Sequence, residues 1–281
     1  MDTMPDQKEK VKQFYNLHHS GKLLVLPNIW DILGAKLLQD LGYPAIATAS
    51  ASVAFTNGYD DGEKMPFDDV LKLLKKIADS VAIPVTADIE SGFADNEIQL
   101  AQNVKQLLAT GIAGINIEDT DKKTNLLMSS EVLCRKIQLI KQVAKETGTD
   151  IFINARADVY VRGKGFDTPA LKLKETIERG NAYKSAGADC FFPLAVQQES
   201  DIKSIVDDLK MPVNIILIPG IPELKKLHEI GVARVSLGPG FLKIAINAMK
   251  NIAERLQNME GLKDITENKV TSDYLKKLVN R

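Results

Sequence analysis

The chain has few of the residues that most often carry thiol chemistry or bind soft metals: 2 cysteines and 3 histidines among 281 residues. Cys134 and Cys190 lie in segments expected to form regular structure, and their spacing is not that of a CxxC pair. The sequence therefore predicts neither a disulfide framework nor a zinc knuckle, and both cysteines are interpreted as small apolar residues. His18, His19 and His228 fall in predicted helices, which argues against a histidine base or metal ligand.

An excess of one charge is also missing, since 36 lysines and arginines face 37 aspartates and glutamates and the formal net charge is -1. Nucleic-acid binding relies on a basic surface, so no nucleic-acid partner is expected. No apolar run approaches the roughly 20 residues that cross a bilayer. The charged segment 1–22 has no long apolar stretch of the secretory kind. We therefore expect a cytoplasmic protein that does not bind membranes.

What the chain does have is a regular alternation of two kinds of segment. Eight short apolar runs, rich in β-branched residues, are each followed by a segment of helical periodicity. The runs cover residues 23–28, 44–50, 83–90, 112–119, 150–158, 188–194, 211–219 and 233–238. Their apolar residues stand at successive positions, as expected for strands covered on both faces.

Eight such units favour a (β/α)8 TIM barrel over an open sheet. The first run continues as PNIWDILG and lacks the glycine-rich loop of dinucleotide-binding folds. We predict a single domain over residues 1–281, with a leading helix in 1–20, the barrel in 22–250 and C-terminal helices in 251–281. This length is ordinary for one barrel.

Active sites of barrels lie at the C-terminal ends of the strands, so polar residues there are the first candidates. The third run ends with Asp88 and Glu90, and the fourth ends with Glu118 and Asp119. Residues two apart share one face of a regular strand. Three carboxylates meeting there would repel one another unless a cation lay between them. Oxygen ligands without histidine suit Mg²⁺ or Mn²⁺.

Arg156 closes the fifth run and offers a planar cation that could hold a carboxylate or a phosphoryl group of a substrate. The alternative is an internal ion pair with Asp158 or Glu118, because structural ion pairs are common. The presence of several charged strand ends together favours a functional site. Asn214, in the seventh run, is a further candidate for substrate binding.

Three motifs carry a resemblance to a known family: TADIESG at 86–92, INIEDT at 115–120 and NARAD at 154–158. In their order and spacing the chain resembles the isocitrate lyase/phosphoenolpyruvate mutase superfamily over about residues 22–250. The resemblance implies a TIM barrel and Mg²⁺-dependent chemistry on a small α-oxo or α-hydroxy carboxylic acid through an enolate. It also implies a homodimer or homotetramer in which the last helix is exchanged between subunits.

The resemblance implies roles for the metal site. Asp88 matches the direct Mg²⁺ ligand, while Glu90 and Glu118 match carboxylates that hold the ion largely through waters. Asp61, in the motif GYDDGE, matches an acidic residue that supports the metal site from a loop, and the adjacent Asp60 is the alternative.

The resemblance also implies roles in substrate binding. Ser50 and the backbone of Ala51 match a turn whose amides hold a substrate carboxylate. Arg156 matches the arginine that grips the reacting group.

The loop after the fourth run reads DKKTNLLMSSE, over residues 121–131. The lyases of this superfamily carry a KKCGH-type motif there, and Thr124 stands in the place of its acid–base cysteine. A threonine hydroxyl hardly ionises near neutral pH, so isocitrate-type cleavage is disfavoured. Lys123, Thr124 and Asn125 resemble instead the gating loop of the mutase and phosphonopyruvate-hydrolase branch, shortened by one residue. Lys123 and Asn125 are therefore candidate catalytic residues.

The expected function is cleavage of a C–C bond in an oxaloacetate-like acid, with P–C chemistry on phosphonopyruvate or phosphoenolpyruvate as the alternative. A Schiff-base aldolase would need a lysine within a strand, and none of the predicted strand cores contains one. A ligand-binding barrel without activity is disfavoured by the intact set of Asp88, Glu90, Glu118 and Arg156.

Overall fold

The computed structural model describes residues 5–280, and within that range it contains nine strands and thirteen helices. The strands are β1 (Leu24–Leu26), β2 (Asn28–Ile29), β3 (Ile46–Thr48), β4 (Val85–Asp88), β5 (Gly114–Glu118), β6 (Phe152–Ala157), β7 (Cys190–Pro193), β8 (Asn214–Ile216) and β9 (Arg234–Ser236). The helices are α1 (Gln7–His18), α2 (Ile32–Asp40), α3 (Ser50–Thr56), α4 (Phe67–Ser80), α5 (Glu97–Leu108), α6 (Ser130–Glu146), α7 (Val159–Arg162), α8 (Pro169–Ala186), α9 (Glu199–Leu209), α10 (Leu224–Glu229), α11 (Gly240–Gln257), α12 (Leu262–Thr266) and α13 (Ser272–Val279).

The strands are parallel and close into a ring. One sheet has the order β2-β3-β4-β5-β6-β7 and the other the order β1-β9-β8. A bridge between Phe191 and Val213 connects β7 to the segment that enters β8. At the other junction β1 and β2 are successive pieces of one extended segment, separated by Pro27, which has no N–H to donate. Together they form the first of eight barrel strands, and the prediction of a (β/α)8 barrel is confirmed.

A side chain completes the junction between the first and the last strand. The amide nitrogen of Asn28 donates to the carbonyl of Thr48 at 2.9 Å. Its amide oxygen accepts from the backbone N–H groups of Leu237 at 2.8 Å and Gly238 at 3.1 Å. Asn28 is 3% exposed, so these bonds are protected from water. The side chain thus joins the ring where backbone pairing is interrupted.

The helices form the outer layer because each buries one apolar face against the strands. In α4, Val70, Leu74 and Ile77 are buried and stand at helical spacing, while the two lysines Lys72 and Lys75 pair with aspartates on the exposed face. Each fully buried side chain of this kind stabilises the fold by roughly 1.5–3 kcal/mol.

The leading helix closes the N-terminal end of the barrel. Asp6 caps α1 by accepting the backbone N–H of Glu9 at 2.8 Å. On its inner face Phe14 is fully buried and meets the ring of Phe152 edge-on, with the centroids 5.0 Å apart. The helix lies within the predicted range 1–20, of which residues 1–4 fall outside the described part of the chain.

The barrel interior contains a layer of buried polar side chains, Thr86, Asn116, Asn154, Asn214 and Arg234, which we call the inner polar layer. Asn154 donates to the amide oxygen of Asn116 at 2.8 Å. Arg234 donates to the same oxygen at 3.3 Å. Since β9 and β5 stand on opposite sides of the ring, the arginine spans the interior.

The chain ends in three helices. In α11, Leu242 is the buried residue, and Ile244, Ile246 and Met249 are exposed. The last helix, α13, packs on α2, with Leu278 only 2% exposed. No helix within residues 5–280 is long and apolar enough to span a bilayer.

Both cysteines are free. Cys190 is fully buried in β7, as its interpretation as an interior apolar residue requires, whereas Cys134 on α6 is only partly buried.

Candidate active site

Three carboxylates lie at the C-terminal end of neighbouring barrel strands. Asp88 is the last residue of β4 and Glu118 the last residue of β5. Glu90 follows β4, but not as part of a regular strand, because the strand ends at Asp88 and Glu90 has a φ of 53°. Its backbone N–H donates to the Asp88 carboxylate at 3.2 Å. The expectation that Asp88 and Glu90 share one face of a regular strand is therefore wrong. A tight turn after Asp88 brings the two residues together instead.

That turn carries a conformational cost. A non-glycine residue in the left-handed region is strained by roughly 1–3 kcal/mol. Glu90 is nevertheless only 4% exposed, and the backbone N–H of Glu63 donates to its carboxylate at 2.8 Å. The surrounding contacts thus hold a strained residue with its carboxylate at the barrel mouth.

The ammonium group of Lys122 lies between two of these carboxylates. Its nitrogen is 2.9 Å from Glu90 Oε2 and 2.5 Å from Glu118 Oε1. The lysine side chain is 19% exposed, so water screens the contacts only weakly. The mutual repulsion of the carboxylates is relieved here by a cation that the chain itself supplies.

Burial dominates the electrostatics of this group. Burial raises the pKa of Glu90 to about 7, although Lys122 acts in the opposite direction. It also raises the pKa of Glu118, opposed by Arg156. For Lys122, burial disfavours the ammonium, but the charges of Glu118 and Glu90 outweigh it and raise the pKa. The lysine is accordingly charged near neutral pH.

A hairpin formed by residues 120–127 positions Lys122. Thr120 and Leu127 form an antiparallel bridge at its base. At its tip the Asp121 carboxylate accepts the backbone N–H groups of Lys123 at 2.8 Å and Thr124 at 3.0 Å. Asn125 has a φ of 58° and donates its N–H to the Asp121 carbonyl at 2.7 Å. This turn directs Lys122 back over the strand ends.

Next to the hairpin there is a cavity of about 520 Å³, lined in part by Glu63, Ser91, Lys122 and Lys136. Lys136 donates to the carbonyl of Ser91 at 2.8 Å from below. Lys122 therefore borders both the carboxylate cluster and this cavity.

Arg156 is held by two carboxylates. Its Nε and Nη2 donate to the Asp158 oxygens at 2.6 and 2.9 Å. Its Nη1 lies 2.7 Å from Glu118 Oε2. A guanidinium carries five N–H groups, so two are not directed at these carboxylates. The internal ion pair considered from the sequence is present, and it fixes the orientation of the guanidinium without using all of its donors.

Ser50, predicted to bind a substrate carboxylate, lies beside Asp88. It is the first residue of α3, and its hydroxyl donates to Asp88 Oδ2 at 3.0 Å. Its backbone N–H lies 3.5 Å from the same oxygen. Ala51 follows in the first turn and is half-buried.

From the motif GYDDGE it is Glu63, not Asp61, that contacts the carboxylate cluster. Asp61 is exposed, and its N–H bonds only to the neighbouring Asp60 side chain. The Glu63 carboxylate accepts from the Ser91 hydroxyl at 2.6 Å and the Phe93 N–H at 3.0 Å. Residue 63 thus ties its loop to the turn that contains Glu90.

Three further predicted residues are not at the barrel mouth. Lys123 is exposed and pairs with Asp95 at 2.7 Å on the outside of the hairpin. The side chain of Asn125 is exposed in the hairpin turn. Asn214 is fully buried in the inner polar layer, where its amide oxygen accepts the Ser236 hydroxyl at 2.9 Å.

Asp119, next to Glu118, faces away from the mouth and anchors the end of β5. Its carboxylate accepts the Tyr183 hydroxyl at 2.6 Å and an Arg179 N–H at 2.9 Å. It also accepts the backbone N–H of Asp158 at 2.8 Å. Burial raises the pKa of Asp119, and these donors counteract it.

The carboxylate cluster has the chemistry of a site for a hard divalent ion. Within residues 5–280 no three acidic, histidine or cysteine side chains converge closely enough to enclose an ion, and Lys122 lies between two of the candidates. The buried oxygens Glu90 Oε2 and Glu118 Oε2 have close ion pairs but no well-aligned hydrogen bond, so both retain acceptor capacity. The oxygen donors of Asp88, Glu90 and Glu118 fit a hard ion such as Mg²⁺ in their chemical type.

Residues 14–257 match the family described as phosphoenolpyruvate phosphomutase. The chain belongs to this family. It is therefore an enzyme of the isocitrate lyase/phosphoenolpyruvate mutase superfamily, whose members depend on a divalent metal, typically Mg²⁺.

Three relatives illustrate the likeness. An uncharacterized protein of Mycobacterium tuberculosis is 32% identical over 89% of this chain and 90% of its own length. The 2-methylisocitrate lyase of Escherichia coli is 29% identical over 87% of this chain and 85% of its own. A crystal structure from Burkholderia cenocepacia, provisionally named a phosphonomutase, is 35% identical with a TM-score of 0.81, covering 89% of this chain and 99% of its own.

Proposed function

We propose that this family member cleaves a C–C bond of a small α-oxo or α-hydroxy carboxylic acid, with an oxaloacetate-like acid as substrate and Mg²⁺ as cofactor. The observation that carries the proposal is the group of Asp88, Glu90 and Glu118 at the barrel mouth beside Arg156. The reaction passes through an enolate. A bound ion would supply Lewis-acid stabilisation of the negative charge that develops on the substrate oxygen.

The chain's own residues perform the remaining tasks. Ser50 and the first turn of α3 orient the substrate carboxylate next to Asp88. Arg156 offers its two uncommitted N–H groups to the second acidic group of the substrate, and its pairs with Asp158 and Glu118 keep the guanidinium from rotating. A pre-oriented donor costs no reorganisation when charge develops.

Lys122 and its hairpin act as the cover of the site. The ammonium of Lys122 lies between Glu90 and Glu118. With a metal held by these carboxylates, the Lys122 ammonium would turn towards the adjoining cavity, and the hairpin would cover the substrate and exclude water. Lys123 and Asn125, on the same hairpin, reach the substrate only through such a movement.

The alternative is P–C chemistry on phosphonopyruvate or phosphoenolpyruvate. The triplet Lys123, Thr124 and Asn125 favours it, because it resembles the gating loop of that branch. The contact of Lys123 with Asp95 on the outside of the hairpin speaks against a direct role in this conformation. Asn214 lies too deep to bind substrate directly, and we assign it to support of the site from below.

We further propose that the enzyme works in the cytoplasm as a homodimer or homotetramer. The exposed apolar residues Ile244, Ile246 and Met249 on α11 are the candidate contact between copies of the chain.

The deciding experiment is a substrate panel with Mg²⁺: oxaloacetate, phosphonopyruvate, 2-methylisocitrate and substituted malates. Turnover of oxaloacetate or a close analogue, lost on chelation, is expected.

Asp88→Asn, which keeps the size of the side chain, should lower kcat/KM at least about a hundredfold, in the range typical for loss of a group that stabilises the transition state. Asp61→Asn is the matched control in an exposed acidic residue of the same site region. Turnover that persists under chelation or in Asp88→Asn would disprove the metal site, and cleavage of 2-methylisocitrate would disprove the substrate assignment.

A further inference from the structure

Arg234 is a fully buried arginine without a counter-ion. It is the largest of the side chains that are completely inaccessible to water. No carboxylate within residues 5–280 lies within 4.0 Å of its guanidinium. Its partners are neutral and distant: the Ser236 hydroxyl at 3.2 Å and the Asn116 amide oxygen at 3.3 Å. In the described part of the chain, Nη1 has no hydrogen-bond partner.

Such a charge is costly for folding. Moving an unpaired ion into the interior costs several kcal/mol even after relaxation, and apolar replacements of buried charges are often neutral or stabilising. Arginine stays protonated near neutral pH, and burial lowers the pKa of Arg234 only to about 10, with Asp88 acting in the opposite sense. A methionine would fill the same space without the cost of burying a charge. The positive charge of Arg234 therefore needs another explanation.

The position of Arg234 relates it to the carboxylate cluster. Its partner Asn116 is aligned with Asp88 across β4 and β5 and stands two residues before Glu118 on the same face of β5. At about 3.3 Å per residue, the guanidinium lies roughly 7 Å below the level of Glu118. On the other side is His18, whose pKa is lowered to about 3 by burial and then by the charge of Arg234. Among the carboxylates of the barrel mouth, Asp88 is the one whose charge acts on Arg234.

We propose that Arg234 is a positioning residue whose buried charge, acting from beneath the site, strengthens the binding of the anionic substrate and weakens that of the divalent ion. This inference rests on the proposed function. The charge does not touch the substrate; it acts through the field of the barrel interior, where screening by water is weak. The same positive charge attracts the anionic substrate and repels the divalent ion.

The opposite signs make the inference testable in the full-length protein. Arg234→Met removes the charge and keeps much of the volume, while Arg234→Lys keeps the charge. We would measure Mg²⁺ binding by calorimetry, oxalate binding at saturating Mg²⁺, and the midpoint of thermal unfolding. For unit charges roughly 7 Å apart and an effective dielectric constant of about 20, a change of at least about fiftyfold in each dissociation constant is expected.

In Arg234→Met, Mg²⁺ should bind more tightly, oxalate more weakly, and the unfolding midpoint should be unchanged or higher; Arg234→Lys should resemble the unaltered protein. A structural role would instead lower the midpoint and weaken both ligands together, which would overturn the inference, as would unchanged binding. Should Arg234→Met not fold, Arg234→Gln replaces it, and failure of both to fold assigns the charge to folding and refutes the inference. If the unaltered protein binds neither Mg²⁺ nor oxalate, the proposed function fails first and this inference with it.

Discussion

Replacing Lys122 with methionine removes the ammonium that lies 2.9 Å from Glu90 and 2.5 Å from Glu118. A divalent ion must displace this group before it can occupy the same space. At such separations an effective dielectric constant of about 20 gives roughly 6 kcal/mol of attraction per pair, and desolvation of the buried charges offsets most of it. A net preference of about 1.4–2.8 kcal/mol remains, which corresponds to about ten- to a hundredfold in affinity.

We therefore expect Lys122→Met to bind Mg²⁺ at least about tenfold more tightly than the unaltered protein. Calorimetry at pH 8, above the pKa of about 7 of Glu90, measures this without competition from protons. Without Mg²⁺ the variant should unfold at a lower temperature, because two buried carboxylates lose their cation, and Mg²⁺ should raise its midpoint by more than it raises that of the unaltered protein.

Lys203→Met is the matched control. Lys203 pairs with Asp207 at 2.8 Å on α9, but the two side chains are 56% and 60% exposed. Exposed pairs of this kind contribute little, so Mg²⁺ affinity and the unfolding midpoint should hardly change. Equal or weaker Mg²⁺ binding in Lys122→Met would refute the reasoning, since the lysine would then not compete with the ion.

Three further outcomes follow from the same geometry. Because burial raises the pKa of Glu90 from 4.5 to about 7, a proton competes with the ion below that pH, and Mg²⁺ affinity measured by titration should fall by up to about tenfold per pH unit from pH 7 to 6 and level off above 7. Arg156→Lys should weaken oxalate binding about tenfold, as a lysine cannot replace the fixed bidentate fork; unchanged binding would contradict its role. Glu63→Gln should lower the unfolding free energy by about 1–3 kcal/mol in denaturant titrations, and Asp61→Asn by less than about 0.5; the reverse order would restore Asp61 as the supporting residue.

The barrel and the strand ends that carry Asp88, Glu118 and Arg156 could be predicted from the sequence. The barrel and the positions of its strand ends both follow from regular periodicity. The C-terminal ends of parallel barrel strands meet at one face, irrespective of the conformation of the loops. The orientation of Asp119 could also be predicted. It follows Glu118, so the alternation of side chains along a strand places it on the opposite side, where Arg179 and Tyr183 bind it.

The contacts made by Glu90, Glu63 and Lys122 could not be predicted in the same way. Glu90 and Glu63 have positive φ values of 53° and 60°. Glutamate rarely adopts this conformation, and no sequence pattern predicts it. Lys122 reaches the cluster only because Asp121 closes the hairpin turn behind it. A lysine in a polar loop is more often solvated, and only the folded hairpin distinguishes the two cases.

The first strand pairs with β9 before Pro27 and with β3 after it, and beyond the last β1–β9 residue pair the Asn28 side chain supplies the hydrogen bonds to Leu237 and Gly238. At the C-terminal end of β9 the backbone N–H groups are thus bonded to one side chain, whereas the N–H groups inside β5 and β6 are bonded to neighbouring strands on a continuous ladder. The amide protons of Leu237 and Gly238 should then exchange with solvent sooner than those in the middle of β5 and β6. Arg234 is the first residue of the same strand, so an opening that travelled along β9 from Leu237 would reach the inner polar layer beneath the barrel mouth.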